Sequence, residues 1–259
     1  MGQNFRHSEI LTLAREAGKV TVEDLAVHFN VTAQTIRRDL AELCDVGQLT
    51  RVHGGAMIPS GVIALGYEDR RGLASEAKSA MARLVAEQIP DGVSIFMNIG
   101  TTTEAVAHAL LKHRNLMVVT NNLNVANILA TSPNSEVIVA GGILRRSDGA
   151  LVGDVTAEFI GQFKVDYAII GSAAVDPDGS LLDYDFREVR VAQALIKNAR
   201  KSFLVADHTK FNMAAPVRIA SLADLDGFFT DIPPPKTVTS LCADNDVFIR
   251  TVENSVRAN

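Results

Sequence analysis

The sequence predicts an α/β protein in two parts, a small helical front and a larger, mainly parallel α/β domain. Three observations predict it. Before residue 59, apolar residues recur three times at helical spacing. A polar stretch broken by Pro59, Gly61, Gly66 and Gly72 covers residues 59–75. From about residue 76, short β-branched runs alternate with helical stretches, the pattern of a parallel sheet covered on both faces. The expected boundaries are 1–58 for the front domain, 59–75 for a linker with a hinge, and 76–259 for the second domain. The chain has 259 residues, 47% hydrophobic and 21% charged, so a sizeable core is expected.

In order along the chain, Ile10, Leu13, Ala14 and Ala17 mark a first helix, which Gly18 stops. Val22, Leu25, Ala26 and Phe29 mark a second, framed by Thr21 and Asp24 as a capping box. Thr32 is the expected N-cap of a third, which buries Ile36, Leu40 and Leu43. Only Asn30-Val31-Thr32 separates the last two helices, so the group reads as a helix-turn-helix. Gly47 ends the third helix, and Leu49–Ala56 then alternates as a short two-stranded wing, with Gly54-Gly55 permitting a tight turn.

In the second domain the expected strands are Ser94–Ile99, Leu116–Thr120, Glu136–Ala140, Val165–Ile170 and Ser202–Ala206. Helices are expected over 104–112, 123–131, 154–163 and 187–199. Gly227–Thr230 and Val247–Val252 are candidate edge strands, with Pro233-Pro234-Pro235 as a rigid connection.

Bulk properties exclude several classes. A formal net charge of −5 argues against a polybasic protein, though not against a local basic patch. Cys44 and Cys242 lie far apart in no metal-ligand or redox spacing, so free thiols in a reducing compartment are expected, with no metal and no cofactor. The N-terminus lacks a signal-peptide core, and Arg6 stands where a myristoylation signal needs Ser or Thr. No apolar run approaches the roughly 18 residues that cross a bilayer. A soluble cytoplasmic protein is expected, without membrane contact.

The third helix divides its faces. Ile36, Leu40 and Leu43 turn inward, while Gln34, Arg37 and Arg38 sit at i, i+3 and i+4 on the other side, with Thr35 at the border. Either Arg can bond guanine bidentately or hold a phosphate, and Gln can bond adenine. A wing would lay Arg51 and His53 on the DNA backbone or in the minor groove. Thr32, Gln34, Thr35, Arg37, Arg38, Arg51 and His53 are therefore the candidate DNA contacts. A polar helix face is more often merely solvated. Residues 1–58 hold six Lys+Arg against seven Asp+Glu, so bulk charge lends no support. Placement alone favours DNA over a protein-interaction module.

The second domain offers a different chemistry. Ser94–Ile99 runs into Gly100-Thr101-Thr102-Thr103 and then a helix, which aims backbone N–H groups, hydroxyls and a helix dipole at one point. A phosphate fits that point; a plain capped turn is the alternative. Other strand ends carry Asn121-Asn122, Gly141-Gly142 with Arg145 beyond, Gly171-Ser172 and Asp207-His208-Thr209-Lys210. Ligands of open parallel sheets bind beyond the carboxyl ends of strands. The candidate effector contacts are Gly100, Thr101, Thr102, Thr103, Asn121, Asn122, Gly141, Gly142, Arg145 and Lys210.

The run Thr35-Ile36-Arg37-Arg38-Asp39-Leu40, followed by Arg51-Val52-His53-Gly54-Gly55-Ala56, resembles the signature of the DeoR family of repressors. The resemblance implies a winged helix-turn-helix acting on operator DNA, and gives that role to Thr35, Arg37, Arg38, Arg51 and His53. Ile99–Thr102, Val119–Leu123, Ala140–Gly142 and Asp207–Phe211 resemble the family's sensor domain, whose fold is similar to that of ribose-5-phosphate isomerase. Glu104–Leu111, Asn121–Asn127 and Asp231–Pro235 resemble one branch of the family. They imply sn-glycerol 3-phosphate as the phosphorylated small-molecule effector, and a homo-oligomer, a tetramer, as the working form. The similarity runs from about residue 6 to 240. One departure is Ala192-Gln193, where the family carries Lys-Arg. If that lysine touches the effector, this chain lacks one cation there, and Arg190 or Lys210 is left to supply it.

The isomerase-like sheet makes a sugar-phosphate isomerase the rival reading. Asp176, Asp178, Asp183 and Asp185 supply the carboxylates such chemistry needs, but Asp176-Pro177-Asp178-Gly179-Ser180 reads as a turn. A DNA-binding module serves a sensor and gives an enzyme no benefit. A repressor released by its effector is the expectation, not an enzyme, with a different sugar phosphate as the alternative effector.

Overall fold

The computed structural model describes residues 3–17, 19–45, 49–52, 54–57 and 67–252. The chain divides into two compact units, Met1–Ile63 and Ala64–Asn259.

The first unit runs α1 (Gln3–Ala17), β1 (Lys19–Thr21), α2 (Val22–Phe29), α3 (Ala33–Asp45), β2 (Thr50–Val52) and β3 (Gly55–Met57). Ile10, Ala14, Leu25, Ile36, Leu40, Leu43 and Leu49 form one buried cluster, the stripe that the helical spacing requires. α2 stops because Asn30 takes the left-handed conformation, φ 52°, and its N–H bonds back to Ala26 O. α3 opens at Thr32, whose hydroxyl accepts from Thr35 N at 3.2 Å.

Two details differ from expectation. Thr21 Oγ1 accepts from Asp24 N at 3.1 Å, but the Asp24 carboxylate returns to the Thr21 hydroxyl at 2.7 Å rather than to a backbone N–H. Thr21 is also the last residue of β1, paired with Gly55. The wing is accordingly a three-stranded sheet of order β1-β3-β2. Its backbones touch: a Cβ on Gly55 would stand 2.0 Å from Val20 O, and Gly54 has φ +78°. Gly47 and His53 lie outside the described residues.

The second unit begins with α4 (Tyr67–Gly72) and α5 (Ser75–Gln88), so the described part of the expected linker, 67–75, is helical. Residues 58–66 lie outside the described residues. There follow β4 (Ser94–Met97), α6 (Thr101–Leu110), β5 (Leu116–Thr120), α7 (Leu123–Leu129), β6 (Ser135–Val139), the hairpin β7 (Ile143–Arg145) and β8 (Ala150–Val152), and α8 (Asp154–Ile160). The rest is β9 (Val165–Ile170), β10 (Ala174–Val175), β11 (Ser180–Asp183), α9 (Phe186–Lys197), β12 (Ala199–Val205), β13 (Val217–Ser221), β14 (Gly227–Thr230), α10 (Lys236–Asp244) and β15 (Phe248–Thr251).

Seven strands form one sheet of order β15-β14-β12-β9-β4-β5-β6. Every pairing in it is parallel, and the two candidate edge strands lie together at one side. Side chains alternate across it: Ile95 and Met97 pack with α5, α6 and α7, while Phe96 packs with α8 and α9. That alternation is why the strands read as continuous apolar runs. Asp176–Ser180 is the turn between β10 and β11, closed by Asp176 N donating to Ser180 O at 2.9 Å. α6 begins at Thr101, earlier than the expected 104, so all three threonines lie in its first turn.

Candidate DNA interface and ligand cleft

On α3, Gln34, Arg37 and Arg38 are exposed. Arg38 Nε meets Glu42 Oε1 at 3.2 Å, one helical turn on, while its side chain stays 80% exposed. Such a contact leaves the guanidinium available to a stronger anion. Thr35 is half-buried, and its hydroxyl lies 2.9 Å from that of Thr32. Arg51 is exposed on β2, in register with Ala56.

Asp39 does the opposite of its two neighbours. It is 1% exposed and accepts from Arg6 Nε at 2.8 Å and Nη2 at 3.1 Å, with His7 Nε2 at 3.3 Å. The Asp39 bond raises the pKa of the Arg6 guanidinium. Within Arg37-Arg38-Asp39, two residues face solvent and the third clamps α3 to α1. Sequence reasoning gave Asp39 no structural role. Its helical position between Ile36 and Leu40, on the inward stripe, was the available signal.

In the second unit, Gly100 turns the chain from β4 into α6 with φ +127°, a conformation suited to glycine. Thr102 and Thr103 are buried, and Thr103 Oγ1 donates to Gly100 O at 2.7 Å. Around this turn the cleft is lined by Arg70, Lys78, Thr101, Ser172, Asp207 and Lys210. Lys78 is 6% exposed and donates to Arg70 O. Burial brings its ammonium down to about 8, with Lys210 and Arg70 pushing the same way and Asp207 opposing. Burial likewise lowers the pKa of Lys210, against the pull of Asp207. Arg70 Nε and Ser172 Oγ are buried without a hydrogen-bond partner among the described residues. Three cations and two unsatisfied polar atoms around a helix N-terminus can hold a phosphate monoester.

A second hollow of about 260 Å³ adjoins the first and shares Arg70, Asp183, Glu188 and Lys210 with it. Arg145 lies there in a carboxylate cage, bonded to Asp148 at 2.9 and 2.6 Å, to Glu188 at 2.8 Å and to Asp185 at 3.3 Å. Burial opposes its charge, but the bonds to Asp148 and the charge of Glu188 more than offset that and raise its pKa. Burial raises Glu188 to about 8, helped by the neighbouring charge of Asp183. Asp183 is raised too, again by burial first. A neutral carboxyl beside ionised ones can both donate to and accept from hydroxyl groups.

The structure brings Gly100, Thr101, Thr102, Thr103 and Lys210 to the first cleft and Arg145 to the second. The remaining candidates are placed elsewhere. Asn121 is fully buried and donates to Leu151 O at 3.0 Å. Asn122 caps α7, accepting from Asn124 N at 2.9 Å. Gly142 lets β7 pass α8, since a Cβ there would lie 1.9 Å from Thr156 Oγ1, and Gly141 O accepts from that hydroxyl at 2.8 Å. These four residues line neither hollow and pack around β7 and β8, and Asn121 Oδ1 is buried without a hydrogen-bond partner among the described residues. Ala192 is fully buried among core residues, one helical turn from Glu188. Gln193 donates to Arg218 O and Ile219 O at 3.3 and 3.2 Å.

Arg70, Lys78, Asp183 and Glu188 are the cleft residues that sequence reasoning did not select. The first stood in an expected linker, and the second on a helix with no motif around it. Asp183 was considered only as a carboxylate of a rival enzyme.

These features define a two-unit regulator, a helix-turn-helix that can grip a duplex joined to an α/β sensor with a cationic ligand cleft. Residues 6–62 match the DeoR-like helix-turn-helix domain and residues 73–232 the DeoR C-terminal sensor domain. The chain belongs to the DeoR family of transcriptional repressors. It is 47% identical to the glycerol-3-phosphate regulon repressor of Escherichia coli (strain K12), over 95% of this chain and 98% of that one. The protein of the same name from Haemophilus influenzae is 46% identical over 90% and 91%. The Escherichia coli repressor CsqR is 41% identical over 95% and 94%. A solved D-ribose-5-phosphate isomerase aligns with 53% of this chain and 54% of its own at 15% identity and a TM-score of 0.40, too slight to bear on function. No helix among the described residues is long and apolar enough to cross a membrane.

Proposed function

We propose that this repressor holds operator DNA through Gln34, Thr35, Arg37 and Arg38, with Thr32 fixing the start of α3 and the wing residues Arg51 and His53 on the backbone. Its proposed effector is sn-glycerol 3-phosphate, with the phosphate beside Gly100–Thr103, Lys78 and Lys210. The ligand's hydroxyls lie toward Asp183 and Glu188. The working form is a cytoplasmic homo-oligomer, a tetramer, whose paired front units fit operator half-sites. The observation that carries this reading is the cleft itself. Its cations sit beside a helix N-terminus and adjoin a carboxylate wall, so one end suits a phosphate and the other a polyol. The names of two of these relatives support the same ligand.

The effector binds an arrangement of lower operator affinity, and linkage requires that operator DNA weaken effector binding by the same factor. The test is titration of the purified protein–operator complex with phosphorylated three- to six-carbon metabolites, followed by fluorescence anisotropy. Release by sn-glycerol 3-phosphate at the lowest concentration is expected. Release by another member of the panel, with none by sn-glycerol 3-phosphate, refutes the ligand. Release by none refutes the sensor.

A further inference from the structure

α4 is the first helix after the division of the chain at Ile63/Ala64, and it is tied down at both ends within the second unit. At its start the Tyr67 hydroxyl donates to Glu104 Oε2 at 2.8 Å and accepts from Asn124 Nδ2 at 3.0 Å. Further along, Arg70 O accepts from the Lys78 ammonium and, at 3.4 Å, from the Thr101 hydroxyl. Both donors line the cleft, so they are groups an entering anion would engage. The Arg70 guanidinium borders both hollows, yet among the described residues its nearest counter-charge, Asp148 Oδ2, is 3.8 Å from Nη2 and its Nε has no partner. A buried N–H left unpaired is costly, and an acceptor brought by a ligand removes that cost.

We propose that Arg70 binds the effector and that α4 is the element through which occupancy of the cleft reaches the segment leading to the DNA-binding unit. The proposal rests on the effector reading above. An anion beside Gly100–Thr103 draws the Lys78 and Thr101 donors to itself and presents an oxygen to Arg70 Nε. α4 thereby exchanges a hold through its carbonyl for a hold through its guanidinium. The two arrangements are discrete, and the ligand favours the second because it supplies the acceptor that Arg70 lacks. α4 is the first element of its unit among the described residues, so a shift of it moves the chain end that leads back to the first unit.

Hydrogen–deuterium exchange on the full chain, with sn-glycerol 3-phosphate and with inorganic phosphate as probes, tests this. Amides 67–74 and 101–104 are both expected to slow about fivefold on sn-glycerol 3-phosphate binding. Slowing at 101–104 alone overturns the role of α4 and leaves the effector reading standing, whereas no change at either overturns both. Inorganic phosphate, which carries the anion without the polyol, should slow the same two segments. Slowing at 101–104 alone with this probe overturns the exchange of holds. For Arg70→Ala, with Arg70→Lys as a milder second variant, the effector concentration for half-release of operator should rise about tenfold more than the ligand Kd does. Equal rises would reduce Arg70 to a simple contact and overturn the coupling.

Discussion

Arg37 and Lys78 are both cations that the proposed function sets against an anion, and the two units treat them in opposite ways. Arg37 stands exposed on α3 with no ion pair among the described residues, over a seam that packs without its help. Lys78 is 6% exposed, donates to a carbonyl and shares its surroundings with Arg70, Lys210 and Asp207. A DNA reader must offer donors to a large charged surface arriving from outside. A small-molecule sensor must take its ligand out of water. The difference teaches where a substitution will register. In the first unit binding can be lost with stability intact. In the second, stability, pH dependence and binding move together.

The sharpest test of that contrast is Arg37→Ala with Arg38→Ala. Each lost contact is worth about 1–3 kcal/mol, so operator affinity at fixed salt should fall by about a hundredfold or more while Tm stays in place. Unaltered affinity in anisotropy titrations would remove α3 from the interface. Asp39→Ala, the next residue along, should behave in the reverse way. It leaves Arg6 without its buried partner and should lower the midpoint of the front unit's urea unfolding. A loss below about 0.5 kcal/mol would mean the clamp between α1 and α3 is decorative.

A smaller effect is expected from Gly55→Ala. The new Cβ would meet Val20 O at 2.0 Å, backbone that cannot yield cheaply. Roughly 2 kcal/mol should be lost, with the wing strands prised from β1. Smallest is a pH effect in the second unit. Glu188 is raised from 4.5 to about 8, so between those values the native state keeps a proton that the unfolded chain has released. Stability should therefore fall as pH rises through that window. Glu188→Gln cannot ionise and should flatten the slope; an unchanged slope in thermal melts would assign it to another group.

Legibility followed the same divide. Ile36, Leu40 and Leu43 were readable because one stripe of a helix must bury itself, and that leaves Gln34, Arg37 and Arg38 outside by geometry. The strands from Leu116 and Val165 were readable because a parallel sheet buried on both faces forces continuous apolar runs. β1 was missed because Lys19-Val20-Thr21 is too short to show a period, and only the paired glycines betray a backbone lying against them. For Asn121 and Gly142 the sequence does not separate packing from binding, because amides and glycines at strand ends serve both equally well. Arg70 was hidden by Gly66 and Gly72, which read as linker punctuation around a helix held by tertiary bonds. Lys78 had no local mark at all, since its role depends on Thr101 and Asp207, which are remote in sequence.

Strand order also bears on how a cell makes this chain. β9 lies between β4 and β12, and its pairing with β4 joins Ile95 to Tyr167. The middle of the sheet cannot close until the ribosome has delivered everything up to Ile170. The compact front unit ends at Ile63, and its β1–β3 pairing joins Lys19 to Met57, a shorter span. At about 5–20 residues per second, roughly ten seconds separate the emergence of the two. For that interval the nascent chain presents the helix proposed to face DNA before it owns any means of being told to let go.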